Sequence, residues 1–168
     1  SMAIGQGELL LTPIQMANMT AIIANRGFYY TPHIIKKISG HVTIDTNFIK
    51  KKYCSIESKY FKPIIEGMLK VTEGEHGTAK NAKIPDLQIC GKTGTAQNPH
   101  GEDHSIFIAF APKEEPKIAI AVYIENGGWG STWASPIASL MIEKYINKKI
   151  SKIALENFII DGNLIVNK

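Results

Sequence analysis

The run Gly91-Lys92-Thr93-Gly94-Thr95-Ala96-Gln97, followed by Ser105-Ile106-Phe107-Ile108-Ala109-Phe110-Ala111 and Ile118-Ala119-Ile120-Ala121-Val122-Tyr123-Ile124-Glu125, decides the fold. Residues 87–97, 105–111 and 118–125 read as three strands. The middle one is apolar at both parities, as in a strand buried between two layers. The third alternates large Ile and Val with small Ala, so one of its faces admits a helix at close range. The short stretch 112–117 suits a hairpin connection, which makes these two strands antiparallel neighbours.

Helical patterns flank these strands. Thr12-Pro13 is a start signal: a hydroxyl N-cap, then a proline whose missing N–H costs nothing at the first helical position. That helix runs to Asn25, stops at Gly27, and is apolar nearly all round, which predicts deep packing. Residues 28–32 read as extended, and 34–44 as short strands. A second helix starts near Ser58, with Pro63 in its first turn and Phe61, Ile64, Ile65, Met68, Leu69 and Thr72 on one face. Gly74 and Gly77 then bracket a polar turn.

A third helix, 134–146, puts Ile137, Ala138, Met141, Ile142 and Tyr145 on one face. Beyond it, 158–160 and 164–166 flank Asp161-Gly162-Asn163, the pattern of a small hairpin. Helices followed by a three-strand meander and a covering helix make an α+β chain, an antiparallel sheet covered by helices.

Composition is that of a folded chain: 168 residues, 44% apolar, 20% charged, net charge +4. The lysines fall in short runs such as Lys50-Lys51-Lys52 and arginine is scarce, which argues against a nucleic-acid surface. Cys54 and Cys90 lack the spacing of a structural zinc site, and the sequence leaves open whether they form a disulfide or stay as thiols. No apolar run is long enough to span a bilayer. The opening Ser1-Met2 has the look of an expression-vector remnant, so any natural anchor is expected further upstream.

The chemistry-bearing segment is the first strand. Lys92 brings positive potential, Thr93 offers a hydroxyl to a carboxylate, and Gly94 lets a substrate backbone approach. Thr95 adds a backbone N–H on the same side. Together they suit an extended acidic peptide added at a sheet edge, with an oxyanion stabilised beside it. Gly91-Lys92-Thr93 also matches the end of a phosphate loop, but Asp86 stands where the upstream glycine belongs. The phosphate-loop reading fails.

Several motifs occur in a telling order: Ile4-Gly5-Gln6-Gly7, Thr12-Pro13-Ile14-Gln15-Met16-Ala17, Gly77-Thr78-Ala79, then Gly91 to Gln97. His104-Ser105, Phe110-Ala111-Pro112, Glu125-Asn126-Gly127-Gly128 and Ala134-Ser135-Pro136-Ile137-Ala138 follow. The series resembles the C-terminal part of class B penicillin-binding protein transpeptidase domains, most closely the elongation type. It covers residues 3–147, leaving 148–168 as a tail. The resemblance implies part of the serine β-lactamase and transpeptidase fold, an antiparallel sheet with helices on both faces.

It also implies chemistry. In that family a serine of a Ser-x-x-Lys motif attacks the D-Ala carbonyl of a peptidoglycan stem peptide, or the ring of a β-lactam, and a Ser-x-Asn motif assists. By resemblance Lys92 supplies electrostatics, Thr93 and Gly94 bind substrate, and the Thr95 N–H forms half the oxyanion hole. Gln97 and His104 are candidate substrate contacts, though a lone histidine is more often structural. Glu8 reads as a cap or surface charge, and Trp129 and Trp133 as packing residues, with Trp129 also a candidate for a partner surface. No metal or organic cofactor is implied. The parent is expected to be a D,D-transpeptidase anchored in the inner membrane with its domain in the periplasm, working beside a membrane glycosyltransferase.

The sequence departs from the family in one respect. None of Ser1, Ser39, Ser55, Ser58, Ser105, Ser131, Ser135, Ser139 and Ser151 is followed at the third position by lysine, and Ser-x-Asn is absent. In the family both motifs precede the Ile4-Gly5-Gln6-Gly7 segment. The expectation is a truncated domain, inactive alone, that exposes apolar sheet edge and self-associates. The alternative is a non-catalytic module that binds extended peptides at the same strand.

Overall fold

The computed structural model describes residues 6–35 and 46–163. Helix α1 (Pro13–Ala24) leads to β1 (Phe28–Tyr29), then α2 (Thr46–Ile49) and β2 (Lys52–Tyr53). Helix α3 (Phe61–Glu73), entered through a 3-10 turn at Ser58–Tyr60, precedes β3 (Cys90–Ala96), β4 (His104–Ala111) and β5 (Ile118–Ile124). Helices α4 (Ala134–Asn147) and α5 (Ile153–Asp161) close the described chain. Strands β3, β4 and β5 form an antiparallel meander in that order, so β3 is an edge. A separate antiparallel pair joins β1 and β2. The expected α+β class is what the chain adopts.

Three layers result. On one face of the sheet, α1 packs on β5 and α3 on β3, around Ala24, Phe61, Ile65, Met68, Cys90 and Phe110. On the other, α4 lies across β4 and β5, where Ile89, Phe107, Ala109, Ala134, Ala138 and Ile142 are buried. Period-two alternation therefore assigns each residue of β3 to a layer. Cys90 belongs to the α1/α3 side, and so do Lys92 and Gly94. Gly91, Thr93 and Thr95 belong to the α4 side, where Phe107 fills the space a Gly91 side chain would need: an added Cβ would lie 2.3 Å from Phe107 Cζ.

Thr12 starts α1 as its sequence predicts. The Gln15 Oε1 atom accepts from the Thr12 N–H at 2.8 Å, the reach-back half of a capping box. Gly27 leaves the helix at φ +116°, a conformation open to glycine and strained for other residues.

Four expectations need correction. Helix α1 is not deeply packed: Thr20 and Ala24 are buried, but Ile14 and Met19 are exposed, because the sheet covers one side only. In α3 the buried face is Phe61, Ile65, Met68 and Thr72, with Ile64 turned to solvent. In α4 the buried face runs through Ala134, Ala138, Ile142 and the polar Ser135, Ser139 and Glu143, while Met141 and Tyr145 are exposed. The expected hairpin at 158–166 is replaced by α5, held by Phe158 stacked on Trp133 at 5.1 Å between ring centroids. Residues 164–166 lie outside the described residues, as do 36–44 of the expected strands at 34–44; residues 34 and 35 are not in a strand.

Candidate active site

The site is built on edge strand β3. The Lys92 side chain is exposed and its ammonium returns to the strand, donating to the Thr93 carbonyl at 2.7 Å. The Thr93 hydroxyl lies 2.9 Å from the Thr78 hydroxyl, so the loop after α3 reaches the strand at this point. Thr95 meets a second loop: the Gly130 N–H approaches its hydroxyl at 3.5 Å. Gly130 is wedged so closely that an added Cβ would lie 2.4 Å from the Ile106 carbonyl oxygen and 2.5 Å from that of Gly94. These are backbone atoms of β4 and β3, which cannot swing aside. Two loops thus brace the threonine side of β3, one at each threonine.

The two threonines, Thr93 and Thr95, share a face, whereas Lys92 and Gly94 project to the opposite one. Only the strand edge brings all four together. Gly94 leaves its face low, with an added Cβ reaching to 3.3 Å of Ile106. Gln97 and His104 sit apart, at the far end of the strand. The Gln97 N–H donates to Gln6 Oε1 at 3.0 Å. His104 faces Ala96 across the ladder, accepts from the Asn126 N–H at Nδ1 (3.1 Å), and tilts against Tyr123 with ring centroids 5.4 Å apart. Gln6, Leu10, Met16, Gln97, His104 and Tyr123 line one groove there.

Two residues with no part in the site as read from sequence belong to it. Thr78 was legible only as part of Gly77-Thr78-Ala79, with nothing to place it against Thr93. Asn81 ties both loops together: its Nδ2 donates to the Ser131 carbonyl at 2.7 Å and its Oδ1 accepts from the Ser135 hydroxyl at 2.8 Å. Trp129, expected to pack or to line a partner surface, is 71% exposed beside this turn, whereas Trp133 packs on α5. Glu8 is exposed, as a surface charge should be.

Cys54 and Cys90 are free thiols, and burial pushes the Cys90 thiol up to about 12. Its side chain is buried in the α1/α3 layer, where a neutral thiol is no nucleophile. Among the described residues no group of three or more His, Cys, Asp or Glu is arranged to hold a metal ion, and no helix is long and apolar enough to cross a membrane.

A family described as the penicillin binding protein transpeptidase domain matches residues 1–143. The peptidoglycan D,D-transpeptidase MrdA of Haemophilus influenzae is 31% identical over 94% of this chain and 27% of its own length. The solved Pseudomonas aeruginosa PBP2, in complex with WCK 5153, superimposes at TM-score 0.74 with 34% identity, covering 90% of this chain and 34% of that one. The imipenem acyl-enzyme complex of penicillin-binding protein A from M. tuberculosis matches at TM-score 0.73 with 31% identity, over 86% of this chain and 33% of that protein. The chain therefore spans about a third of the length of the relatives it matches.

Proposed function

This chain belongs to the penicillin-binding protein transpeptidase family, and from that premise we propose that it forms one wall of the active site of a peptidoglycan D,D-transpeptidase acylated by β-lactams. The observation that carries the reading is the braced edge of β3, with Thr93 held by the Thr78 loop and Thr95 by the Gly130 loop.

In this reading a serine supplied from outside these residues attacks the penultimate D-Ala carbonyl of a stem peptide. The new Oγ–C ester replaces the peptide bond, and D-Ala leaves with a proton. A second stem-peptide amine then takes the acyl group and frees the serine. The Lys92 ammonium raises the positive potential where the substrate carboxylate arrives, and the Thr93 hydroxyl binds that carboxylate. Gly94 lets the extended peptide lie against the strand, and the Thr95 N–H stabilises the oxyanion. Gln97 and His104 contact the substrate further along the groove, where their separation from Lys92 suits a longer stem peptide.

A D,D-transpeptidase of the elongation type works at the inner membrane with its domain in the periplasm, beside a membrane glycosyltransferase. Both the location and that partner follow from the same reading. Residues 3–147 form the transpeptidase part and 148–168 a tail.

The test is covalent labelling with a fluorescent penicillin. The complete protein is expected to label at a serine outside residues 1–168, and the isolated chain not at all. Covalent labelling of the isolated chain overturns the reading. A complete protein that binds stem peptide without ever acylating would instead favour a binding module.

A further inference from the structure

The tail beyond α4 enters the protein at two adjacent residues. The Ser151 hydroxyl donates to Oε1 of Glu143, a carboxylate buried on α4 whose Oε2 has no hydrogen-bond partner among the described residues. The next residue, Lys152, sends its ammonium inward, to the Asn81 carbonyl oxygen at 2.5 Å and the Ser139 hydroxyl at 3.1 Å. A lysine at the start of an exposed helix ordinarily reaches for water, because stripping its ammonium of solvent is unfavourable. Here desolvation does lower the Lys152 pKa, with the Glu143 charge acting in the opposite direction. An arrangement that costs solvation and is still adopted must secure something else.

What it secures is the loop that braces β3. Every polar group of Asn81 that these contacts reach leads to a different element. Its carboxamide bonds Ser131 in the Gly130 turn and Ser135 at the start of α4, and its carbonyl bonds the tail. Ser139 completes the staple by donating to the Ala82 carbonyl at 3.0 Å. Three residues upstream of Asn81 stands Thr78, whose hydroxyl meets that of Thr93. Helix α5 adds a second fastening: Phe158 stacks on Trp133, and Gly162 lies so near that an added Cβ would fall 2.2 Å from Trp133 Cη2. The tail therefore grips both loops of the site from behind.

We propose that Lys152 is a positioning residue: its ammonium pins Asn81 and thereby holds the Thr78 loop against Thr93 in the carboxylate-binding wall of the site. The inference rests on the transpeptidase reading for its consequence in catalysis, but the mechanical coupling stands independently of it. Lys152 touches no substrate. Its loss loosens the loop that aligns Thr93, so substrate binding suffers before the acyl-transfer step does.

The experiment uses the complete protein with Lys152→Met, which keeps most of the stem and removes the donors, and Lys152→Arg, which keeps a cationic donor. Amide hydrogen exchange at 78–82 should quicken about tenfold in Lys152→Met while exchange in β4 stays as in the wild type, the signature of a local and not a global opening. The dissociation constant for a carboxylate-bearing β-lactam before acylation should rise about fivefold, with the limiting acylation rate within about twofold. Lys152→Arg should return both readouts to within about twofold of the wild type. Unchanged loop exchange in Lys152→Met, an equal rise in β4 and the loop, or an Arg variant as loose as the Met variant would each overturn the proposal. If the wild-type protein never acylates, the transpeptidase reading fails while the exchange comparison still decides the role of Lys152.

Discussion

The hydroxyls of Thr78 and Thr93 lie 2.9 Å apart, joining a loop at the end of α3 to the middle of the edge strand fifteen residues later. One hydroxyl proton is shared between them, so each fixes the other's orientation. If Thr93 receives a substrate carboxylate, Thr78 decides where its proton points.

Removing that constraint should therefore be felt in binding. A net hydrogen bond contributes about 1 kcal/mol, and this one is solvent-accessible. Thr78→Ala in the complete protein is expected to slow acylation by a carboxylate-bearing β-lactam about threefold to fivefold at subsaturating concentration, with Thr78→Ser close to wild type. Stopped-flow acylation kinetics measure both. Equal rates for Thr78→Ala and wild type would show that Thr93 needs no partner.

A second prediction concerns pH. Cys90 is buried against Phe110, Ala24 and Phe61, and its thiol is pushed from the ordinary 9 to about 12 by loss of solvent. A raised pKa in the folded state means that the neutral thiol is the folded form. Its contribution is complete below pH 9 and is lost as pH climbs from there towards about 12, because the unfolded thiol ionises first. At pH 8 Cys90 should resist alkylation by a maleimide in the folded protein, whereas half-buried Cys54 should react sooner. Mass mapping of the labelled peptides distinguishes them, and rapid modification of Cys90 without denaturant would contradict its burial.

The meander was legible because each strand carries its own signal and short connections leave little choice of partner. The register of β3 on β4, together with Phe107 packed under α4, places Thr93 and Thr95 on the α4 side. Helices α1, α3 and α4 were legible in extent but not in orientation. In α4, hydropathy alone sends Ser135, Ser139 and Glu143 to solvent. Ser135 and Ser139 are buried against Asn81 and the Ala82 carbonyl, partners more than fifty residues away in sequence, and Glu143 shares one carboxylate oxygen with Ser151 of the tail. The Asp161-Gly162-Asn163 turn signal is sound local chemistry, yet the helical segment stacks Phe158 on Trp133, and tertiary packing prevails. The bracing of Thr93 by Thr78 had no sequence signal beyond a family motif, since a hydroxyl in a polar loop looks the same whether it faces water or a catalytic strand.

The same one-sided packing that leaves α1 half covered leads to the last prediction. Leu10 is 91% exposed and Ile14 57%, and Leu9, Leu11 and Met19 are exposed with them. Beside them β3 offers an edge that no described strand covers. Apolar surface costs about 25 cal/mol per Å² to keep in water, and an unpaired strand edge templates further pairing. The chain studied by itself should therefore associate with its own copies, through the α1 face, the β3 edge or both. Sedimentation velocity at rising concentration should show dimers or larger species, and Leu10→Glu combined with Ile14→Glu should reduce them by charging the α1 face. A monomer at every concentration would mean that the exposed leucines are covered within one copy. Association that ignores both substitutions would move the contact from α1 to the edge of β3, the strand on which the proposed chemistry depends.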